Sequence, residues 1–331
     1  MRFGMDAIDV AIILPAYNEE QTIEKVLEGF HASWPAARIY VINNNSADNT
    51  AALAESYIKD RKINGHVLHE TRQGKGNAMR RAFMEIDADI YVMVDADLTY
   101  PPEILRQLIA PVADGRADMV VGDRHSEGDY AKENDRPLHD FGNKLVQKLV
   151  NYISSSTVTD IMSGYRVMSK TFVKSYPILV EGFQIETDMT IFALQNRFRI
   201  VEIPIRYSNR PAGSHSKLDT YRDGFKVIKA IFNLFRYYRP LQFFSNLSVL
   251  ISFIGLLCGA PVILEYFRTG IIHRIPLAIL ATGLETIAII TFGVGLMLDS
   301  VAYHRRLDNE NVIKLNTPPR YPKEYPFNDI S

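Results

Sequence analysis

Two apolar stretches toward the C-terminal end constrain this chain more than any other feature. Residues 243–267 carry Glu265 as their only charge, and residues 275–298 carry only Glu285. Each is long enough to cross about 30 Å of hydrocarbon, which takes about 20 helical residues. A pair of long core helices is the competing reading. The link, residues 268–274, is short, so the two spans form a hairpin with both outer flanks on one side. Those flanks hold Arg236, Arg239, His304, Arg305 and Arg306, against Arg268 and Arg274 in the link. The excess of positive charge places the large N-terminal part in the cytoplasm, with the chain a multi-pass protein of the inner or plasma membrane. A carboxylate within a span is costly, so Glu285 is expected to pair with Arg268, Arg274 or a neighbouring subunit, or to face the hairpin interior.

The rest of the 331-residue chain reads as an ordinary folded protein. With 47% hydrophobic and 23% charged residues, wholesale disorder is excluded. A net charge of -1 gives no reason to expect a nucleic-acid partner. Cys258 is the single cysteine, so neither an internal disulfide nor a cysteine zinc site is available, which suits a cytosol-facing catalytic part. No secretory pattern is expected in the first residues.

Up to about residue 125, apolar runs alternate with helical patterns. Strands are expected at 10–14, 38–42, 66–69, 90–94 and 119–121. Helices are expected at 19–30, from Asp48 or Thr50 through Tyr57, at 75–86, and from Pro101-Pro102 to Val112. This alternation predicts an α/β fold, a mainly parallel Rossmann-like sheet with helices on both faces. In such sheets ligands bind beyond the carboxyl ends of the strands. Those ends carry Pro15-Ala-Tyr-Asn-Glu19, Asn43-Asn-Asn-Ser46 and Asp95-Ala-Asp97.

Asp95 and Asp97 flank one small residue at the end of an apolar strand. Two such carboxylates can hold Mg2+ or Mn2+ together with phosphate oxygens, although a bare Asp-x-Asp also occurs in solvated turns. Gly74-Lys75-Gly76 opens a helix and could approach an anion, or be an ordinary loop; it lacks the spacing of a P-loop. Asp160, in Asp160-Ile-Met-Ser-Gly-Tyr-Arg166, could orient or deprotonate an acceptor, or cap a helix. Glu186 and Asp188 could support the site or serve only as first-turn acids. Arg210 and Lys217 flank a small-residue loop and could close over a diphosphate, or stay solvated. Residues 219–238 interleave Phe225, Ile228, Phe232 and Phe235 with Arg222, Lys226, Lys229 and Arg236, which reads as a helix in the lipid headgroup region, or else one packed on the sheet. Residues 138–153, with Lys144 and Lys148, are a second candidate of that kind. The domain reading is therefore 1–218 catalytic, 219–242 interfacial, 243–299 two membrane helices and 300–331 a cytoplasmic tail.

Taken in order, Pro15-Ala-Tyr-Asn-Glu19, Arg72-Gln-Gly-Lys-Gly-Asn77, Asp95-Ala-Asp-Leu98, Asp160 with Ser163-Gly-Tyr-Arg166, and Gly213-Ser-His-Ser-Lys-Leu218 resemble the family 2 glycosyltransferases of GT-A fold. The branch they look like is the dolichol-phosphate-mannose-synthase type with its bacterial polyprenyl-phosphate relatives. The resemblance covers about the first 240 residues. It implies inverting transfer of one hexose-type sugar from a UDP- or GDP-sugar to polyprenyl phosphate, undecaprenyl or dolichyl. By matching positions it implies nucleotide-sugar contacts from Pro15, Tyr17, Glu19, Ile42, Asn44, Lys75, Asp95, Ala96, Arg210 and Lys217. Asp95 and Asp97 would hold the metal, Arg124 and Ser126 would meet the acceptor phosphate, and Asp97 and Asp160 would be catalytic. Asn43 and Asn44 stand where the family often has acids, which leaves the base open. Thr99 stands where some relatives place a metal-ligating Gln.

A processive polysaccharide synthase usually carries Gln-x-x-Arg-Trp, and the only tryptophan here is Trp34. Transfer to another lipid or glycan acceptor, and a non-enzymatic nucleotide-sugar-binding scaffold, remain alternatives. Homo-oligomerisation is left open.

Overall fold

The computed structural model describes residues 8–125, 147–148, 150–151, 156–182, 185–208, 232 and 235–317. Ser126, Arg210 and Lys217 lie outside the described residues, as do most of the two expected interfacial helices.

The chain divides into two compact units, Met1–Leu218 with Asn309–Ser331, and Asp219–Asp308. In the first, a seven-stranded sheet is built from β1 (Val10–Ala16), β2 (Arg38–Asn43), β3 (Gly65–His69), β4 (Ile90–Met93), β5 (Met119–Asp123), β6 (Arg166–Ser169) and β7 (Ile200–Pro204). Their order is β3-β2-β1-β4-β6-β5-β7. All strands run parallel except β6, which is antiparallel to both β4 and β5.

Helices cover both faces, which explains why β1 is apolar without alternation. Ile12 and Leu14 pack with Leu27 and Phe30 of α1 (Ile23–Ser33) and Leu108 of α4 (Leu105–Ala113). Ile13 points to the other face, toward Met79 and Ala82 of α3 (Lys75–Glu85). Each such aliphatic chain contributes about 1.5–3 kcal/mol by leaving water. α2 (Thr50–Asp60) follows β2; its first N–H is taken by the Asp48 carboxylate at 3.0 Å. The helix expected from Pro101-Pro102 starts as a short 3-10 turn at Pro102–Ile104 and becomes α-helical at Leu105.

β6 leads into α5 (Lys170–Ser175), and α6 (Ile185–Gln195) precedes β7. The last two turns of α8 (Ile275–Asn316), from Asn309 on, belong to this unit. There, Asn316 Nδ2 donates to the Lys174 carbonyl at 3.2 Å, and the Thr171 hydroxyl donates to the Asn316 carbonyl at 3.3 Å. Each helix thus satisfies an orphan carbonyl at the end of the other.

In the second unit, α7 (Pro240–Thr269) and the body of α8 are long and apolar enough to cross a membrane. Only 11% and 6% of their most apolar windows are buried, whereas a core helix of a soluble fold is mostly buried. They pack antiparallel through small residues: Gly259 faces Ala281, Gly255 faces Glu285, and Gly295 faces Phe244. Glu285 turns into this interface, where Ser252 Oγ donates to Oε2 at 2.8 Å. Of the partners expected for Glu285, the hairpin interior is the one observed; Arg274 instead approaches Glu265 at 3.8 Å.

Candidate active site

Parallel strands bring the residues that follow β1, β2, β4 and β5 to one edge of the sheet. β1 lies between β2 and β4, so the strand order reverses there, where a crevice opens in sheets of this type. Three tight turns shape that edge, with left-handed residues at Asn18 (φ 54°), Asn45 (58°) and Leu98 (61°). For Leu98 this conformation is a strained one, and it stands directly after Asp97.

The β1 and β2 loops are stitched together. Asn18 N–H donates to Ser46 Oγ at 3.0 Å, and Glu19 N–H donates to Thr50 Oγ1 at 2.8 Å. Asn44 spends its amide on the chain that follows β3, accepting from Gly74 N–H and donating to the Arg72 carbonyl, both at 2.7 Å. Pro15 and Tyr17 are half-buried at the edge, while the Ile42 side chain sits in the core.

Asp95 and Asp97 leave β4 in different settings. Asp97 is buried, and its Oδ1 accepts from the Thr99 N–H at 3.2 Å and from the Thr99 hydroxyl. Thr99 therefore orients Asp97. The Ala96 carbonyl accepts from Thr22 Oγ1 at 2.6 Å, tying the turn to the start of α1. The Asp95 side chain is 29% exposed and pairs with Lys75. It borders a cleft of about 220 Å³ lined in part by Tyr100, Glu103 and Ser208.

Gly74-Lys75-Gly76 does not present an open anion cradle. The Glu181 carbonyl accepts the Gly76 N–H at 2.9 Å, and a Cβ on Gly76 would fall 1.9 Å from the Val180 oxygen. The glycines admit a passing backbone, and Lys75 turns inward between Asp95 and Glu186. Burial opposes the ammonium form of Lys75, but Asp95 and then Glu186 outweigh it and raise its pKa.

Asp160 reaches the same edge because β6 runs antiparallel. Its carboxylate is 1% exposed and accepts Arg124 Nε at 2.8 Å, Arg124 Nη2 at 2.9 Å and the Arg124 N–H at 3.1 Å. Burial would push this acid up; the Arg124 charge and hydrogen bonds overcome that and hold it below the usual carboxylate range. The Arg124 guanidinium also stacks on Tyr207, 5.4 Å from the ring centre. Glu202 of β7 fixes the preceding loop by accepting the Thr159 and Asp160 N–H groups at 2.9 and 2.8 Å.

Arg166 is wholly buried; it donates to the Ser163 and Ile161 carbonyls at 2.9 and 2.8 Å and to Thr190 Oγ1 at 2.8 Å. It thus ties the loop before β6 to α6. That loop packs Gly164 against Asp95, where a Cβ would meet Oδ2 at 2.3 Å. Sequence reasoning missed Asp123, Tyr100, Tyr207 and Glu202. Asp123 carried a readable signal, an acid ending an apolar strand as Asp95 does; it is buried and accepts from Thr159 Oγ1 at 3.2 Å.

Among the described residues no three His, Cys, Asp or Glu side chains form a ready-made metal cage. The donor set present, two carboxylates on one strand-end turn, fits Mg2+ or Mn2+, which take one or two carboxylates and complete their shell with phosphate and water.

The profile of glycosyl transferase family 2 matches residues 11–176, half of the chain, and the chain belongs to that family. It is a glycosyltransferase with a GT-A fold. It is similar to glycosyltransferase AglJ of Haloferax volcanii, 29% identical over 88% of this chain and 91% of that protein. It is also similar to the dolichyl-phosphate hexose transferase of Haloferax volcanii, 29% identical over 67% of this chain and 92% of that one. Among solved structures, glucosyl-3-phosphoglycerate synthase of Mycobacterium tuberculosis, in complex with Mn2+, UDP-glucose and phosphoglyceric acid, superposes with a TM-score of 0.54 at 20% identity. That match covers 69% of this chain and 79% of the other and is a likeness of fold.

Proposed function

We propose that this glycosyltransferase moves one hexose-type sugar from a UDP- or GDP-sugar to polyprenyl phosphate at the cytoplasmic face of a membrane, inverting the anomeric carbon. The observation that carries the reading is the pairing of two phosphate-suited devices on one sheet edge. The first is the Asp95/Asp97 turn, and the second is Arg124 held by a buried Asp160. The similarity to a dolichyl-phosphate hexose transferase and the two exposed apolar helices support a lipid acceptor.

In this reading Asp95 and Asp97 hold Mg2+ or Mn2+ with the donor diphosphate. A divalent cation there supplies charge neutralisation for the departing nucleoside diphosphate. Tyr17, Glu19 and the β2 turn flank the nucleotide. Arg124, its Nε and Nη2 fixed by Asp160, supplies a permanent positive charge toward the acceptor phosphate. A phosphate oxygen attacks the anomeric carbon as the bond to the diphosphate breaks. A phosphate monoester, with a second pKa of about 6, is largely dianionic at pH 7, so no side chain need remove a proton. Asp160 acts by aiming Arg124, consistent with its lowered pKa.

The test is turnover by the purified full chain with polyprenyl phosphate, Mg2+ or Mn2+ and a panel of UDP- and GDP-hexoses. One donor should yield a lipid-phosphate-linked sugar of inverted configuration. Transfer only to another lipid or glycan would overturn the acceptor assignment, and donor binding without turnover would leave a scaffold.

A further inference from the structure

Lys75, Asp95 and Glu186 come from three separate elements and meet at one ammonium. Lys75 Nζ lies 2.5 Å from Glu186 Oε1 and is also paired with Asp95 Oδ1. The Lys75 and Glu186 side chains are each 6% exposed, whereas Asp95 opens to the cleft. Glu186 is held in place from behind: its carbonyl accepts from Thr190 Oγ1 at 2.9 Å, and Thr190 Oγ1 accepts from the buried Arg166. On its other side Asp95 abuts Gly164.

We propose that Glu186 is a positioning residue for the divalent-cation site, acting through Lys75. If Lys75 faced Asp95 alone, its charge would cancel one of the two carboxylates available to a cation. By sharing the ammonium, Glu186 restores that charge. Three carboxylates, Asp95, Asp97 and Glu186, then stand against one ammonium, an excess of two negative charges that matches one divalent ion. Glu186 itself faces inward and is not a ligand. This inference rests on the metal role proposed for Asp95 and Asp97.

Mn2+ binding to the full chain, followed by the electron paramagnetic resonance of free Mn2+ in the presence of UDP or GDP, tests it. E186Q preserves shape and removes one charge; it is expected to weaken Mn2+ roughly 10-fold or more, the range seen when partners of metal-binding side chains are lost. K75Q/E186Q removes the ammonium and its buried partner together and restores the charge excess, so its Mn2+ affinity is expected to return close to wild type. That rescue would not follow from a purely structural role, and the double variant stays informative should E186Q fail to fold. Wild-type affinity in E186Q, or a double variant as weak as the single, would overturn the inference. A wild-type chain that binds no Mn2+ with either nucleotide would instead overturn the metal reading beneath it.

Discussion

Asp160 grips Arg124 through both carboxylate oxygens, Nε to Oδ2 at 2.8 Å and Nη2 to Oδ1 at 2.9 Å, in a setting almost closed to water. A carboxylate so occupied is a poor base and a good orienter. Asp160→Asn keeps the shape but leaves a buried charge unpaired, which typically costs about 3–5 kcal/mol of stability. It should show a lower melting temperature and a raised acceptor KM, with the pH dependence of kcat unmoved. An acid limb that disappears in this variant would restore the general-base reading.

Arg124→Lys retains the charge but not the fork. We expect a loss of at least about 10-fold in kcat/KM for the acceptor, with the donor KM little changed. Steady-state kinetics with the two substrates varied separately check this.

Thr99 holds Asp97 through both its N–H and its hydroxyl. Thr99→Val removes one hydrogen bond from a buried carboxylate and should raise the metal requirement about 10-fold. Asp97→Asn should abolish most turnover, by roughly 100-fold or more. Full activity of Asp97→Asn would contradict any metal role.

Much of this site was legible because its residues end short apolar strands. Asp95, Asp97, Tyr17 and Glu19 stand where the hydrophobic run breaks, so the sheet itself predicts their convergence. β6 escaped notice because Arg166–Ser169 is four residues long and begins with a charge that looks like surface. Its reversal is what delivers Asp160 and Gly164 to the edge, and no local pattern encodes strand direction. Gly74-Lys75-Gly76 left an anion approach and an ordinary loop both open, because the chain it makes room for, at Val180 and Glu181, is more than a hundred residues away. The partnership of Lys75 with Glu186 was hidden for the same reason.

Glu70 supplies a pH dependence unrelated to catalysis. Its hydrogen bonds with Arg72 lower its pKa from 4.5 to about 2. The folded pKa lies below the unfolded one, so the stabilisation is full above pH 4.5 and is lost as pH falls toward 2. Chemical denaturation at pH 6 and pH 3 should show a smaller decline for Glu70→Gln than for the parent chain.

In the helical hairpin, Gly255 leaves the space that Glu285 fills; a Cβ there would lie 2.6 Å from Oε1. Gly255→Leu should therefore disrupt the helix pair, whereas Ser252→Ala, losing one interhelical hydrogen bond, should cost only about 0.6 kcal/mol. Unfolding in mixed micelles resolves the two.

A lipid monophosphate is the proposed nucleophile. Mass spectrometry of the lipid product formed by the full chain, polyprenyl phosphate and the donor it prefers tests this most directly. The expected product is a lipid heavier by one hexose residue, joined through a single phosphate and absent from the Asp97→Asn reaction. A sugar joined through two phosphates, or an unmodified lipid with the sugar on another acceptor, would contradict it.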